Sequence, residues 1–189
     1  MNYATLSIAD VKTGLEAMAQ DTMGTFGHLS VRQLNWRLDD TQWSVAQCCE
    51  HLLTANRLMF TSATDALAAT HAPTVWQRLP LLPILFGWLL IRSQSPAGRR
   101  RFTASPDALP ATTDIAADIV QRLVEQHRGA ATWAGTLDER AAARAIMTSP
   151  FMNMATYSVL DGCRLVVAHD RRHFEQARRI MQLPQFPSA

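Results

Sequence analysis

Several things are scarce in this sequence, and each scarcity excludes something. Cysteine occurs three times in 189 residues, as Cys48, Cys49 and Cys163. The number is odd, and adjacent cysteines on a helix diverge by about 100°, so no disulfide framework is expected. Three reduced thiols suit a reducing compartment. The most apolar run, LPLLPILFGWLLI at 79–91, is thirteen residues long and is broken by Pro80, Pro83 and Gly87. A bilayer span needs about twenty. The N-terminus has no basic patch followed by an apolar run, so no signal peptide is expected. Together these features predict a soluble cytoplasmic protein without a membrane partner.

An excess of charge of one sign is also missing. There are 18 basic and 16 acidic residues, for a net charge of +2, which argues against a nucleic-acid partner. Lysine is nearly absent, since Lys12 stands against seventeen arginines. The densest basic run, Arg99-Arg100-Arg101-Phe102, reads as a solvated loop, with recognition of a small anionic cofactor as the alternative. Strand signals are few, since alternation of period two is rare.

What is present is apolar residues, 48% of the chain, in mostly helical register. The length fits a single domain over 1–189. A first helix is predicted from Ile8 to Met23, opened by a Ser7/Asp10 capping box and stopped by Gly24 and Gly27. A second runs from Ser44 to Ala69, with Ser44 and Gln47 as a capping box and Trp43 as its hydrophobic staple. Six of the nine prolines fall between His71 and Thr113. The stretch 72–112 therefore reads as an inserted crossover connection carrying one short apolar helix, Ile84 to Arg92. A third helix is expected from Thr113 to Ala134. A second connection, Thr136 to Met154, holds a helical piece at Leu137 to Ala145. A last helix runs from Thr156 to Met181. The predicted fold is all-α: a four-helix bundle with a long crossover.

Six histidines supply the obvious metal ligands. His169 and His173 stand four residues apart on the last helix. Side chains at that spacing differ by about 40° around the axis and about 6 Å along it, so both imidazoles reach one ion. Taken alone, the pair reads first as a partly exposed polar helix face. His51 shares a face of the second helix with Gln47, Ala55 and Leu58, at the edge of the apolar stripe. His28, His71 and His127 are assigned to a turn, a helix end and an exposed face of the third helix, with structural or solvated roles. A di-iron carboxylate bundle needs two Glu-x-x-His motifs and two further glutamates. The only near match is Asp170-x-x-His173, so that reading is rejected.

Two segments carry a family resemblance. Trp43-Ser44-Val45-Ala46-Gln47-Cys48-Cys49-Glu50-His51-Leu52 resembles the W-S-x-x-x-x-x-x-H-L opening of the second helix in the DinB-like (YfiT-like) superfamily. His169-Asp170-Arg171-Arg172-His173-Phe174-Glu175-Gln176 is similar to that family's H-x-x-x-H-x-x-Q segment on its last helix. Leu34-Asn35-Trp36-Arg37 resembles the family's lead-in. Order and separation match, and the likeness spans essentially the whole chain, with a longer apolar insertion than a minimal member has.

The resemblance implies a four-helix bundle in which three histidines bind a divalent metal, carried over here to His51, His169 and His173. It further implies transfer or isomerisation chemistry with a low-molecular-weight thiol such as bacillithiol, mycothiol or glutathione. A small-molecule thiol and an electrophile are the partners expected on this reading. Zinc, nickel and iron all accept imidazole, so the ligands do not select the metal. A non-catalytic metal-binding stress-response or structural module and a metal-dependent hydrolase are the alternatives. Gln176, on the face of His173, is a candidate for orienting a ligand or water. Asp170 is read as a partner for Arg171 or a neighbouring helix. Cys48 shares the face of His51, but all three thiols read as core. Arg171 and Arg172 are alternative anchors for an anionic thiol. The 79–92 segment reads as packed on the bundle, with a homodimer interface or a lid as alternatives.

Overall fold

Serine and threonine caps set the starts of most helices in the computed structural model, which describes residues 2–96, 98, 105–110 and 114–188. Ser7 accepts from the backbone N–H of Asp10, and the Asp10 carboxylate accepts in return from Ser7 N–H, opening α1 (Ile8–Phe26). The same reciprocal pair, Ser30 with Gln33, opens a short α2 (Val31–Asn35). Ser44 with Gln47 opens α3 (Val45–Leu67). Each such box satisfies two amide donors that the first helical turn leaves without partners. In α1 the glycine at 24 is carried inside the helix, and the end comes at Gly27, whose N–H reaches Met23 O.

Beyond α3 come a single turn, α4 (Val75–Arg78), and the apolar helix α5 (Leu82–Gln94). Then follow α6 (Ile119–Ala134), a short α7 (Glu139–Arg144), a hairpin of β1 (Ile146–Ser149) and β2 (Met152–Ser158), and the long α8 (Val159–Met181). The four long helices pack pairwise, α1 against α6 and α8, and α3 against α6 and α8. Together with α2 and the hairpin, their buried stripes form two apolar clusters. One gathers Val11, Leu15, Met147, Tyr157 and Val159, and the other Met18, Leu34, Val45, Leu52, Leu123 and Phe174. Fully burying one such side chain contributes about 1.5–3 kcal/mol, so these two clusters dominate the favourable side of folding.

Two expectations change. Residues 146–158, expected as a connection and the start of the last helix, form an antiparallel hairpin with Met147 opposite Tyr157 and a bulge between Thr148 and Ser149. Met147 and Tyr157 are both buried, and the tyrosine hydroxyl donates to Met59 Sδ at 3.4 Å. The strands are short and turn at Pro150-Phe151 without glycine, so alternation was too brief to register. The other change is at the third helix. Its expected start, Thr113, lies outside the described residues, but 114–118 are not helical and α6 begins at Ile119. Asn35 explains this. Its Oδ1 accepts from Ile115 N–H at 3.0 Å and its Nδ2 donates to Ile115 O at 2.8 Å, holding that backbone out of the helix. Asp114 adopts φ 47°, a left-handed conformation. The basic run 99–102 also lies outside the described residues.

Candidate metal centre

The cap at Ser44 fixes where α3 starts, and His51 follows about two turns later, buried against α8. On α8, whose first turn is held by Ser158 accepting from Asp161 N–H, His169 and His173 project from one face. The three imidazoles meet. Their ring centroids lie 5.2 Å apart for His51 and His169, 4.7 Å for His51 and His173, and 4.5 Å for His169 and His173. One ligand nitrogen from each ring falls within 4.8 Å of the others, a spacing at which one ion can be held. His51 is buried, while His169 and His173 are half-buried. Among the described residues the cluster contains no thiol and no carboxylate.

The rings are oriented by what surrounds them. His51 Nδ1 lies 2.7 Å from Ala108 O, so that nitrogen carries the proton and donates to the carbonyl. Its Nε2 is left as a lone pair, 3.4 Å from His169 Nε2. Such an outer contact fixes the tautomer of a ligating histidine. Ala108 belongs to a short 3-10 turn, Pro106–Ala108, in the proline-rich connection. Trp43 covers the cluster, stacked on His173 at 5.8 Å between centroids and tilted against His51 at 4.9 Å. The residue read from sequence as a helix staple thus also forms a wall of the site.

Burial first, and then the positive neighbour that a protonated His169 would be, push His51 down to about 4. The same causes, with His51 added, push His173 lower still. Both rings are therefore neutral near pH 7, with lone pairs available for a cation. The donor set and its basicity fit a divalent ion of the borderline class.

Beneath this triad lies a second polar cluster that sequence reasoning missed. Asp170, expected as an arginine partner or cap, is wholly buried. Its Oδ2 accepts from Asn56 Nδ2 at 2.8 Å and from His127 Nε2 at 2.8 Å. Its Oδ1 lies 3.8 Å from His169 Nδ1 and has no hydrogen-bond partner. Burial alone would raise this carboxyl, but the His127 and His169 rings outweigh it and hold it well below the ordinary carboxylate range. His127, placed by pattern on an exposed face, has no solvent exposure. The signal was available. His127 stands four residues after Leu123 and three before Ala130, and Asp170 and Asn56 likewise occupy core positions of α8 and α3. Three polar residues on the apolar stripes of three helices must meet one another or be unsatisfied.

The remaining candidates are accounted for. His28 and His71 are exposed, away from the cluster. Arg171 donates to Asp21 at 2.7 Å, and Arg172 donates to Ser93 O at 2.7 Å. Gln176 is half-buried one turn beyond His173. Cys48, Cys49 and Cys163 are buried, and burial pushes Cys49 and Cys163 up to about 12 and Cys48 well above its ordinary value. Cys48 and Cys49 line a small apolar cavity that reaches His173 from below, together with Met18, Leu52 and Phe174.

Helices α3 and α8 thus bring three histidines close enough together that they could hold a metal ion. The sequence profile of the DinB superfamily matches residues 14–177, and the chain belongs to that superfamily. Comparison with curated proteins and with solved structures gives no match. Among the described residues, no helix is long and apolar enough to cross a membrane.

Proposed function

We propose that this protein is a divalent-metal-dependent transferase that passes a low-molecular-weight thiol to an electrophile. On this reading α1, α3, α6 and α8 act as a four-helix bundle with 72–112 as an inserted crossover, and the protein works in the cytoplasm. His51, His169 and His173 are the metal ligands. The observation that carries the reading is the donor set: three imidazoles, with His51 and His173 lowered in basicity, and no carboxylate or thiol among the ligand atoms that cluster. Such a set leaves the charge of a zinc, nickel or iron ion uncompensated and a coordination position open, so the bound ion would favour the thiolate form of a substrate sulfur.

The protein's own groups prepare the site. Ala108 O holds the His51 tautomer, Asp170 sits behind His169, and Trp43 packs against the His51 and His173 rings. The chain's own thiols are buried and stay protonated, so they are poor nucleophiles, and the reacting sulfur has to come from solution. Overall, a carbon–sulfur bond forms, the thiol proton passes to solvent, and the leaving group departs with its bonding pair.

Metal analysis of the purified protein is the first test. Stoichiometric divalent metal is expected, and its loss in His51→Ala and His173→Ala. Unchanged metal content in both variants would remove the site. The metal-loaded protein is then given a chlorodinitrobenzene electrophile with and without glutathione, mycothiol or bacillithiol. Turnover that needs a thiol supports transfer, whereas turnover without one assigns hydrolysis instead.

A further inference from the structure

Helix α5 is oriented against the usual rule of burial. The residues it turns inward are Pro83, Gly87 and Ile91, one turn apart, while Ile84 and Leu85 are 68% and 57% exposed and Trp88 and Leu89 about half exposed. Gly87 permits this seating: a Cβ there would stand 2.6 Å from Asp161 Oδ2 on α8. The smallest residue faces the protein and the largest face outward. At its start Leu81 holds a left-handed φ of 67° with its side chain 74% exposed, a conformation that costs a branched residue about 1 kcal/mol or more. The apolar face continues onto α4, through Val75 and Trp76, and onto the adjoining β2, where Met152 and Met154 are exposed. A single monomer rarely exposes more than roughly 300–600 Å² of contiguous apolar surface, and patches of that kind mark docking sites.

Charge selects the occupant. Residues 75–94 contain two arginines, Arg78 and Arg92, and neither aspartate nor glutamate, whereas the rest of the chain carries 16 basic and 16 acidic residues. Arg78 and Arg92 flank the face, and the Arg92 guanidinium lies 5.6 Å over the Trp88 ring. The carboxylate under α5, that of Asp161, is on its inner side and is paired with Arg164 at 2.9 Å. A second copy meeting this face through a two-fold axis would bring arginines toward arginines with no acid on the face to offset them. An anionic lipid surface offers what the face lacks. Its headgroups match the arginines, its interfacial zone suits tryptophan, and its acyl boundary accepts leucine and isoleucine.

We propose that α4, α5 and the exposed edge of β2 form a peripheral docking face for an anionic lipid bilayer, with Ile84, Leu85, Trp88 and Leu89 entering the headgroup–acyl boundary between Arg78 and Arg92. The helix lies on the membrane and does not cross it, being thirteen residues long. The proposal is independent of the metal site.

The test is co-sedimentation of the full chain with vesicles of phosphatidylcholine alone and of phosphatidylcholine with phosphatidylglycerol in equal amounts, at low and high salt. Pelleting with the anionic vesicles is expected, weakened by salt and at least tenfold weaker with neutral vesicles. Leu85→Glu/Trp88→Glu abolishes it, and Arg78→Gln/Arg92→Gln lowers affinity roughly thirtyfold, at about fivefold per arginine. Retained metal content and helical circular dichroism in these variants show that they are folded. Absence of pelleting, or equal pelleting with neutral vesicles, overturns the proposal. A dimer by light scattering that Leu85→Glu/Trp88→Glu converts to monomer, without vesicle binding, assigns the face to self-association instead.

Discussion

Asp170 accepts a 2.8 Å hydrogen bond from His127 Nε2 in a place where neither side chain meets solvent, directly behind the histidine cluster. The carboxylate joins α8 to α6 through His127 and to α3 through Asn56, and so holds together the two helices that carry the candidate ligands. Asp170→Asn keeps the shape but weakens the field behind His169. Its metal affinity is expected to fall about 10–100-fold, measured by competition with a chromophoric chelator. Asp170→Ala leaves His127 and Asn56 buried without their acceptor and is expected to cost about 1–3 kcal/mol for each orphaned donor in denaturant unfolding.

Acid is expected to destabilise the metal-free protein above the range in which carboxylates usually titrate. His51 is pushed down to about 4 and His173 lower, whereas an unfolded chain protonates both near 6.5. Between those limits the unfolded state binds more protons, so stability is complete above about pH 6.5 and is lost as pH falls toward 4. The lowered Asp170 adds to the loss below its unfolded value of 3.8. Inside the window each histidine contributes up to about 1.4 kcal/mol per pH unit. Thermal unfolding of chelator-treated protein across pH 4–8 checks this. Divalent metal at roughly a hundred times its dissociation constant is expected to add about 2.7 kcal/mol at neutral pH.

Asn35 acts on a distant segment as a strand neighbour would, donating to and accepting from the backbone of Ile115. Asn35→Ala leaves that N–H and carbonyl without partners. A loss of about 1–3 kcal/mol is expected, with amide exchange at Ile115 accelerating before that of α6.

The three thiols are expected to stay silent toward an aromatic disulfide reagent in the native protein and to titrate together on unfolding. Cys48, Cys49 and Cys163 are 1–3% exposed, and burial raises all three. Rapid native-state reaction at Cys48 would show that the cavity beneath His173 opens to solvent.

The His169/His173 pair was legible because its evidence is local, whereas His51 entered only through the family resemblance. An i, i+4 pair fixes two imidazoles on one helix face whatever the fold, and the Trp43–His51 and His169–Gln176 segments carry the family pattern around them. The helix starts at Ser7 and Ser44 were legible for the same reason, since a capping box satisfies its donors within four residues. His127 was misplaced because polar residues were read as surface residues. The structure pairs it with Asp170, 43 positions away, and a satisfied polar pair is compatible with the core.

By itself, the sequence determined the helical periods, the caps, the scarcity of long apolar runs and the candidate ligands on each helix. These depend on chemistry within one or two turns. Only the tertiary structure decided that residues 146–158 pair as strands, that Asn35 keeps 114–118 out of α6, and that α5 seats its glycine inward and its tryptophan outward. Each of those outcomes rests on a contact between distant segments. Such contacts are decided by which backbone and side-chain groups find partners once the helices have packed, and no local pattern in the chain records that.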